Sequence, residues 1–355
     1  MTRRAKSFKV VIHGDSFADR QADIETALGD KFCVVAVGLG AAAEEKQAAF
    51  DDAVAAITVR YDAATPAPAS LRLVQVPGIG WDDIDLAHVP PGANVCNVGG
   101  HETGVAEYAV AQILEWCHRL RPAEESFRRG SWERSSRFGA APHRELSGST
   151  VGIVGFGAIG RVLARQLRGF GVRILAANRS PIPDGSGVDG RFALNDLPAM
   201  AAECDFLVVA LALTRETRGL VDRAALDALG AKGVLVNVAR GPVVDETALW
   251  QALSDRRLGG AVIDVWYRYP PAEDSDQRPG HYPFETLPNL VMTPHLSGWT
   301  AGTVERRLAF MVENIRRAAE ARPLLNVVSS PSARAGRKPP EAPPAHIPDT
   351  GRGKQ

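Results

Sequence analysis

Neither sign of charge prevails in this sequence: 41 Lys and Arg balance 41 Asp and Glu. A chain without a surplus offers no bulk field to gather nucleic acid or an anionic membrane surface, and neither partner is expected. Cysteine is scarce. Cys33, Cys96, Cys117 and Cys204 stand far apart, in no CxxC or Cys/His ligand spacing. They read as ordinary thiols in a reducing compartment, and no metal site is expected. Long apolar runs are missing as well. The opening "MTRRAKSFKVVIHGDS" has basic residues followed by a strand-like run too short for a signal-peptide core. No later run reaches membrane-spanning length. The expected location is cytoplasmic.

What the chain does contain is short apolar runs alternating with helical patterns. "FKVVIHG", "KFCVVAVG", "AITVRY" and "LRLVQVPG" predict a first α/β domain with a parallel sheet. "TVGIVGFG", "DFLVVALAL", "GVLVNVAR", "GGAVIDVW" and "NLVMTPH" are continuous rather than alternating, as strands buried on both faces require. The fold class expected is α/β, with two doubly wound parallel-sheet domains. Between them "TGVAEYAVAQILEWCHRL" reads as a helix stopped by Pro122, and a further helix is expected from Ala301 to Ala321. The proline-rich end of the chain, with no large apolar cluster, is expected to be disordered.

"VGIVGFGAIG" places Gly155, Gly157 and Gly160 as G-x-G-x-x-G between a strand and a helix, with Ala158 and Ile159 opening the helix. The first glycine permits the tight turn, the second admits a pyrophosphate, and the third packs helix on strand. At the end of the next strand stand Asn178, Arg179 and Ser180. A carboxylate there would bind the ribose hydroxyl of NAD; a neutral residue beside an arginine leaves room for a 2′-phosphate and favours NADP. Arg179 can equally stack on adenine and tolerate NAD. Two further residues end strands on the ligand side of the sheet. Arg240 follows "GVLVNVA", and His295 follows "NLVMTP". A permanently charged guanidinium suits a carboxylate and its neighbouring carbonyl, and an imidazole suits proton exchange with the oxygen as hydride moves.

Taken in order, "GIVGFGAIG", "LALTRETRGLV", "VLVNVARGPVVDETAL", "AVIDVW" and "LPNLVMTPHLSG" resemble the D-isomer-specific 2-hydroxyacid dehydrogenases over about Leu71 to Val328. The resemblance implies a flavodoxin-like substrate domain (residues 1–101 and 300–328) and an inserted NAD(P)-binding Rossmann domain (102–299), which leaves 329–355 as the tail expected from composition to be disordered. It also implies a homodimer with contacts through the segment containing "FRRGSW". By the same resemblance Arg240 binds the substrate carboxylate and carbonyl, and His295 is the acid/base. Gly78, Ile79 and Gly80 of "VPGIGWDDID" cradle the carboxylate, and Asp264 holds the nicotinamide carboxamide. The substrate is then a small anionic 2-hydroxy or 2-keto acid.

The departures from the family pattern matter as much. Tyr269 falls where the family has a glutamate bonded to the histidine, with Glu273 a more distant candidate behind two prolines. His101 replaces an asparagine and is either a substrate contact or a loop histidine. Gly104 replaces a serine, and Ala212 and Arg215 replace prolines near the cofactor. Two other readings stay open. One is oxidation of a formate- or phosphite-like anion, which needs no acid/base help. The other is a nucleotide-sensing scaffold resembling the corepressors related to this family.

Overall fold

The computed structural model describes residues 8–270 and 276–332. They form two compact units: the chain up to Gly99 together with the chain from Arg306 on, and Gly100–Glu305. The first unit holds strands β1 (Phe8–His13), β2 (Phe32–Val37), β3 (Ala53–Thr58), β4 (Leu73–Gln75) and β5 (Asn94–Cys96). The second holds β6 (Thr150–Val154), β7 (Arg173–Asn178), β8 (Gly190–Ala193), β9 (Phe206–Val209), β10 (Val234–Asn237), β11 (Gly260–Ile263) and β12 (Leu290–Met292). A last strand, β13 (Val327–Ser329), returns to the first unit.

In the first unit the order is β13-β5-β4-β3-β1-β2, parallel except for β13, which pairs antiparallel with β5. The five parallel strands have the doubly wound, flavodoxin-like order. All six residues of β3, "AVAAIT", are buried. A run apolar on both faces fits only the interior of a sheet covered on both sides. Ser329, the first residue of the expected tail, partners Val95 in β13. The chain from 333 on lies outside the described residues.

The second unit has seven parallel strands in the order β12-β11-β10-β9-β6-β7-β8. Its first six in sequence follow the dinucleotide-fold order, which reverses between β6 and β9, and ligands of such sheets lie beyond the carboxyl ends at that reversal. Helix Glu102–His118 covers one face through Val105, Ala109 and Ile113, packed in one apolar cluster with Leu163 and Leu167. The sequence reading is corrected at its end. Pro122 does not stop this helix; Arg119 does, with a left-handed φ of 53°, and Pro122 lies in the first turn of a second helix, Leu120–Arg128. A proline there forfeits no intrahelical hydrogen bond. Among the described residues no helix is long and apolar enough to cross a membrane.

Helix Ala301–Ala319, which belongs to the first unit from Arg306 on, is locked to that unit's sheet by Asn314, which is fully buried. Its Nδ2 donates to Gln75 Oε1 (2.8 Å) and to Leu325 O (3.0 Å), and its Oδ1 accepts from the Leu325 N–H (2.8 Å). Truncation strands the buried Gln75 amide oxygen and both half-buried main-chain groups of Leu325 at once. Asn314→Ala is therefore expected to lower stability by about 2–4 kcal/mol, seen as a lower urea midpoint at unchanged slope.

Candidate active site

After β6 the chain turns at Gly155 with φ 101°, a value L side chains rarely adopt, and its N–H donates to Ala177 O (2.8 Å). A Cβ on Gly160 would collide with Gly155 O, so the helix comes close to the turn. Gly157 is different: a Cβ there would meet nothing within 4 Å. Its open face lies at the N-terminus of helix Ala158–Leu167, which no side chain caps. Unsatisfied N–H groups and a helix dipole beside an open backbone fit a pyrophosphate. Ala158 is exposed there and Ile159 half-buried.

The Asn178 amide is used at both ends. Its Oδ1 accepts from the Phe156 N–H (3.2 Å) and its Nδ2 donates to Ser180 O (2.9 Å), which pins the glycine turn to the end of β7. Arg179 and Ser180 are exposed. A hydrogen bond from Thr214, a backbone N–H, and the cations Arg179 and Arg215 hold the Glu216 carboxyl below its ordinary range. Arg215, noted in the sequence only as a departure, thus shares a neighbour with Arg179.

Asp264 follows β11 and is fully buried. Its Oδ1 accepts from Thr293 Oγ1 (2.6 Å) and the Leu296 N–H (2.9 Å), and its Oδ2 from the Ser297 N–H (3.0 Å). Its carbonyl accepts from the His295 N–H (2.8 Å). Because the Thr293 hydroxyl proton goes to Asp264, the Tyr108 hydroxyl 2.6 Å away donates to Thr293. Burial pushes the Tyr108 phenol up to about 12. Trp266 Nε1 donates to Thr293 O (2.9 Å), so every polar group of Thr293 is committed to this cluster or to the sheet. Thr293, Tyr108 and Trp266 were not among the residues singled out from the sequence; their roles depend on partners far away in the chain.

The clamp holds His295 at φ 58°, a left-handed conformation that costs a non-glycine residue of order 1–3 kcal/mol. Its Nδ1 lies 2.9 Å from Tyr269 Oη. The same phenol accepts from the Trp266 N–H (3.2 Å), which leaves it one lone pair and its proton to face the imidazole. Burial of the hydroxyl raises the Tyr269 pKa, against the pull of the Trp266 N–H and of the Arg240 charge. The phenol is neutral. Arg240, half-buried beyond β10, donates from Nη1 to Ala239 O (2.7 Å), and its own carbonyl accepts from Asn237 Nδ2 (3.1 Å). Next to it, Gly241 lies so close to the Trp266 backbone that a Cβ would collide. Arg240, Asp264, Tyr269 and His295 are thereby brought together in the second unit. Glu273 lies outside the described residues.

In the first unit the carbonyls of Gly78 and Ile79 accept from the Val98 N–H (3.3 Å) and from Asn97 Nδ2 (2.9 Å). Among the described residues the N–H groups of Gly78, Ile79 and Gly80 have no hydrogen-bond partner, the donor pattern an anion cradle needs. His101 is buried at the start of helix Glu102–His118, where its carbonyl accepts from the Val105 N–H (3.0 Å). Gly104 has a steric reason: a Cβ there would sit 3.0 Å from Thr300 Cγ2 and 3.3 Å from Thr303 Oγ1.

Residues 110–297 match the family model of the D-isomer specific 2-hydroxyacid dehydrogenase NAD-binding domain. A glyoxylate/hydroxypyruvate reductase A of Arabidopsis thaliana is 37% identical over 247 residues, 68% of this chain and 72% of that one. A mitochondrial formate dehydrogenase of Solanum tuberosum is 33% identical over 237 residues, 65% of this chain and 59% of that one. An NADPH-dependent glyoxylate/hydroxypyruvate reductase of Sinorhizobium meliloti, solved in complex with NADP and malonate, superposes with a TM-score of 0.71 at 28% identity, covering 92% of this chain and 98% of that one. The doubly wound sheets, the glycine turn and these likenesses together establish that the chain belongs to the D-isomer specific 2-hydroxyacid dehydrogenase family, with its nucleotide fold in the second unit.

Proposed function

We propose that the chain interconverts a small 2-keto acid and its 2-hydroxy acid, with Arg240 holding the carboxylate and carbonyl and His295 exchanging the proton. The observation that carries this reading is the set formed by Arg240, Tyr269 and His295, converging beyond the ends of β10, β11 and β12. NAD(P)H, when bound, supplies the hydride. Arg240 polarises the carbonyl and stabilises the oxygen as negative charge develops. With Nδ1 of His295 turned to the phenol, Nε2 is assigned the proton that passes to that oxygen on reduction and returns on oxidation. The N–H groups of Gly78, Ile79 and Gly80 are assigned to the carboxylate, and His101 to the substrate pocket. Asp264 is assigned to the nicotinamide carboxamide through the acceptor capacity its three hydrogen bonds leave.

NADP is favoured over NAD. Asn178 adds no negative charge at the end of β7, and Arg179 and Arg215 stand near one another through Glu216. A second reading rests on Tyr269. A neutral phenol cannot stabilise imidazolium as a carboxylate does, and a formate-like anion gives up hydride with no proton to move.

The chain is also proposed to work as a homodimer. Leu120, Phe127, Trp132 and Phe138 are exposed in the segment after the helix break, with Phe127, Trp132 and Phe138 in successive edge-on contacts at 5.0 and 6.2 Å. Exposed aromatics in contact with one another support an interface here, and their place in the dinucleotide unit favours a second copy as the occupant.

The functional test is nicotinamide oxidation with NADPH and NADH in parallel against glyoxylate, hydroxypyruvate, pyruvate and bulkier keto acids. Turnover preferring NADPH is expected, and Arg240→Ala should lower kcat/KM by about 10²–10³-fold. Cofactor binding without turnover of any keto acid, but with oxidation of formate, would favour the second reading. For Tyr269 the sign follows from charge. Reduction needs the acid form of His295, an anionic partner stabilises that form, and a neutral one does not. Tyr269→Glu should therefore move the alkaline fall of keto-acid reduction upwards by about one pH unit or more, and an unmoved profile refutes the assignment. Sedimentation should give two chains for the wild type and one for Phe127→Ser/Trp132→Ser.

A further inference from the structure

We infer that His118 and His143 form a two-histidine chelate for a divalent transition-metal ion at the neck of the segment 119–142. Their Nδ1 atoms are 3.2 Å apart, a hydrogen bond in which one imidazole donates and which a metal ion would replace, while the ring centroids are 4.9 Å apart with planes at 65°. The centroids are farther apart than the nitrogens, so both nitrogens face the gap between the rings. A tetrahedral zinc ion, with Zn–N bonds of about 2.0–2.1 Å, spaces two imidazole nitrogens by about 3.3 Å. The pair already has that spacing. His143 is exposed and His118 half-buried, so an ion reaches them from solvent.

Both imidazoles hang from fixed points. His118 closes helix Glu102–His118 directly after Cys117, which is buried in the core of the second unit. His143 precedes Arg144, whose guanidinium pairs with Asp205 (2.7 Å), donates to Ser149 Oγ (3.0 Å) and lies over the Phe206 ring, 5.1 Å from its centroid. Leu146 then enters the same apolar cluster as Cys117. Anchors on both sides mean that little chain entropy is lost when an ion binds. The nearby cations have partners of their own: Arg144 has Asp205, Arg121 approaches Glu115 (3.9 Å), and Arg119 lies on the Trp116 ring. Among the described residues no group of three or more His, Cys, Asp or Glu is placed to hold a metal. The pair therefore supplies two ligands and water the rest. Two neutral imidazoles select borderline ions such as Zn²⁺, Ni²⁺ or Cu²⁺ over Mg²⁺ or Ca²⁺.

The site lies outside the residues assigned to substrate and cofactor, so its test is independent of turnover. The full chain is stripped with a chelator, dialysed and titrated with Zn²⁺ by calorimetry. One saturable site per chain is expected. Binding should weaken by at least about tenfold in His118→Ala and equally in His143→Gln, and stay unchanged in His88→Ala, whose imidazole instead pairs with Asp85. His143 is exposed, so its variant reports on the site without burdening the fold. The absence of saturable Zn²⁺ binding, or binding that survives either substitution undiminished, would overturn the proposal.

Discussion

The buried carboxylate of Asp264 is the constraint on which the site depends. A fully buried anion is costly unless its lone pairs are used, and here three donors from Thr293, Leu296 and Ser297 use them. The cost of burial becomes rigidity. The short loop after β12 cannot relax without stranding that charge, so His295 is held in a backbone conformation it would not choose. Tyr108 extends the same clamp to the helix that covers the sheet, and Trp266 adds its indole N–H. Asp264 also acts at a distance on Tyr269, raising its pKa while Arg240 lowers it.

The partner of the imidazole decides what the clamp presents. A carboxylate at the Tyr269 position would fix the proton on Nδ1 and stabilise the charged ring. A phenol does neither alone. With the Trp266 N–H on one lone pair, it accepts from Nδ1 when that nitrogen carries a proton and donates to it when it does not. It aligns the histidine in both states without favouring either. That neutrality leaves both a keto acid and a formate-like anion compatible with one arrangement of side chains.

Much of this was legible in the sequence because it rests on local pattern. Continuous apolar runs marked the two parallel sheets, and strand, glycine turn and helix marked Gly155 to Gly160. Arg240 and His295 were singled out because each closely follows an apolar run. What escaped has long-range or backbone partners. The donors to Asp264 are mostly main-chain N–H groups, which no side-chain motif encodes. The break at Arg119 is a backbone conformation, and Pro122, a breaker inside a helix, is harmless in a first turn. Asn178 reads as a neutral residue near a ribose, yet its amide spans Phe156 and Ser180. The spacing of His118 and His143 arises only once helix and loop are folded.

The first unit is split in sequence, and its closure comes late. Gln75 meets Asn314 across 239 positions, and β5 gains its antiparallel neighbour only when Val327–Ser329 arrives. On a ribosome the early strands of that unit must wait while the whole second unit is made. The edge of β5 stays open for that interval, and unpaired edges are where growing chains go astray. Because the inserted unit has its own core, it can fold during the wait and bring the two halves near one another, which shortens the effective loop to be closed. The order of synthesis thus lets the inserted unit be finished first and leaves the split unit until last.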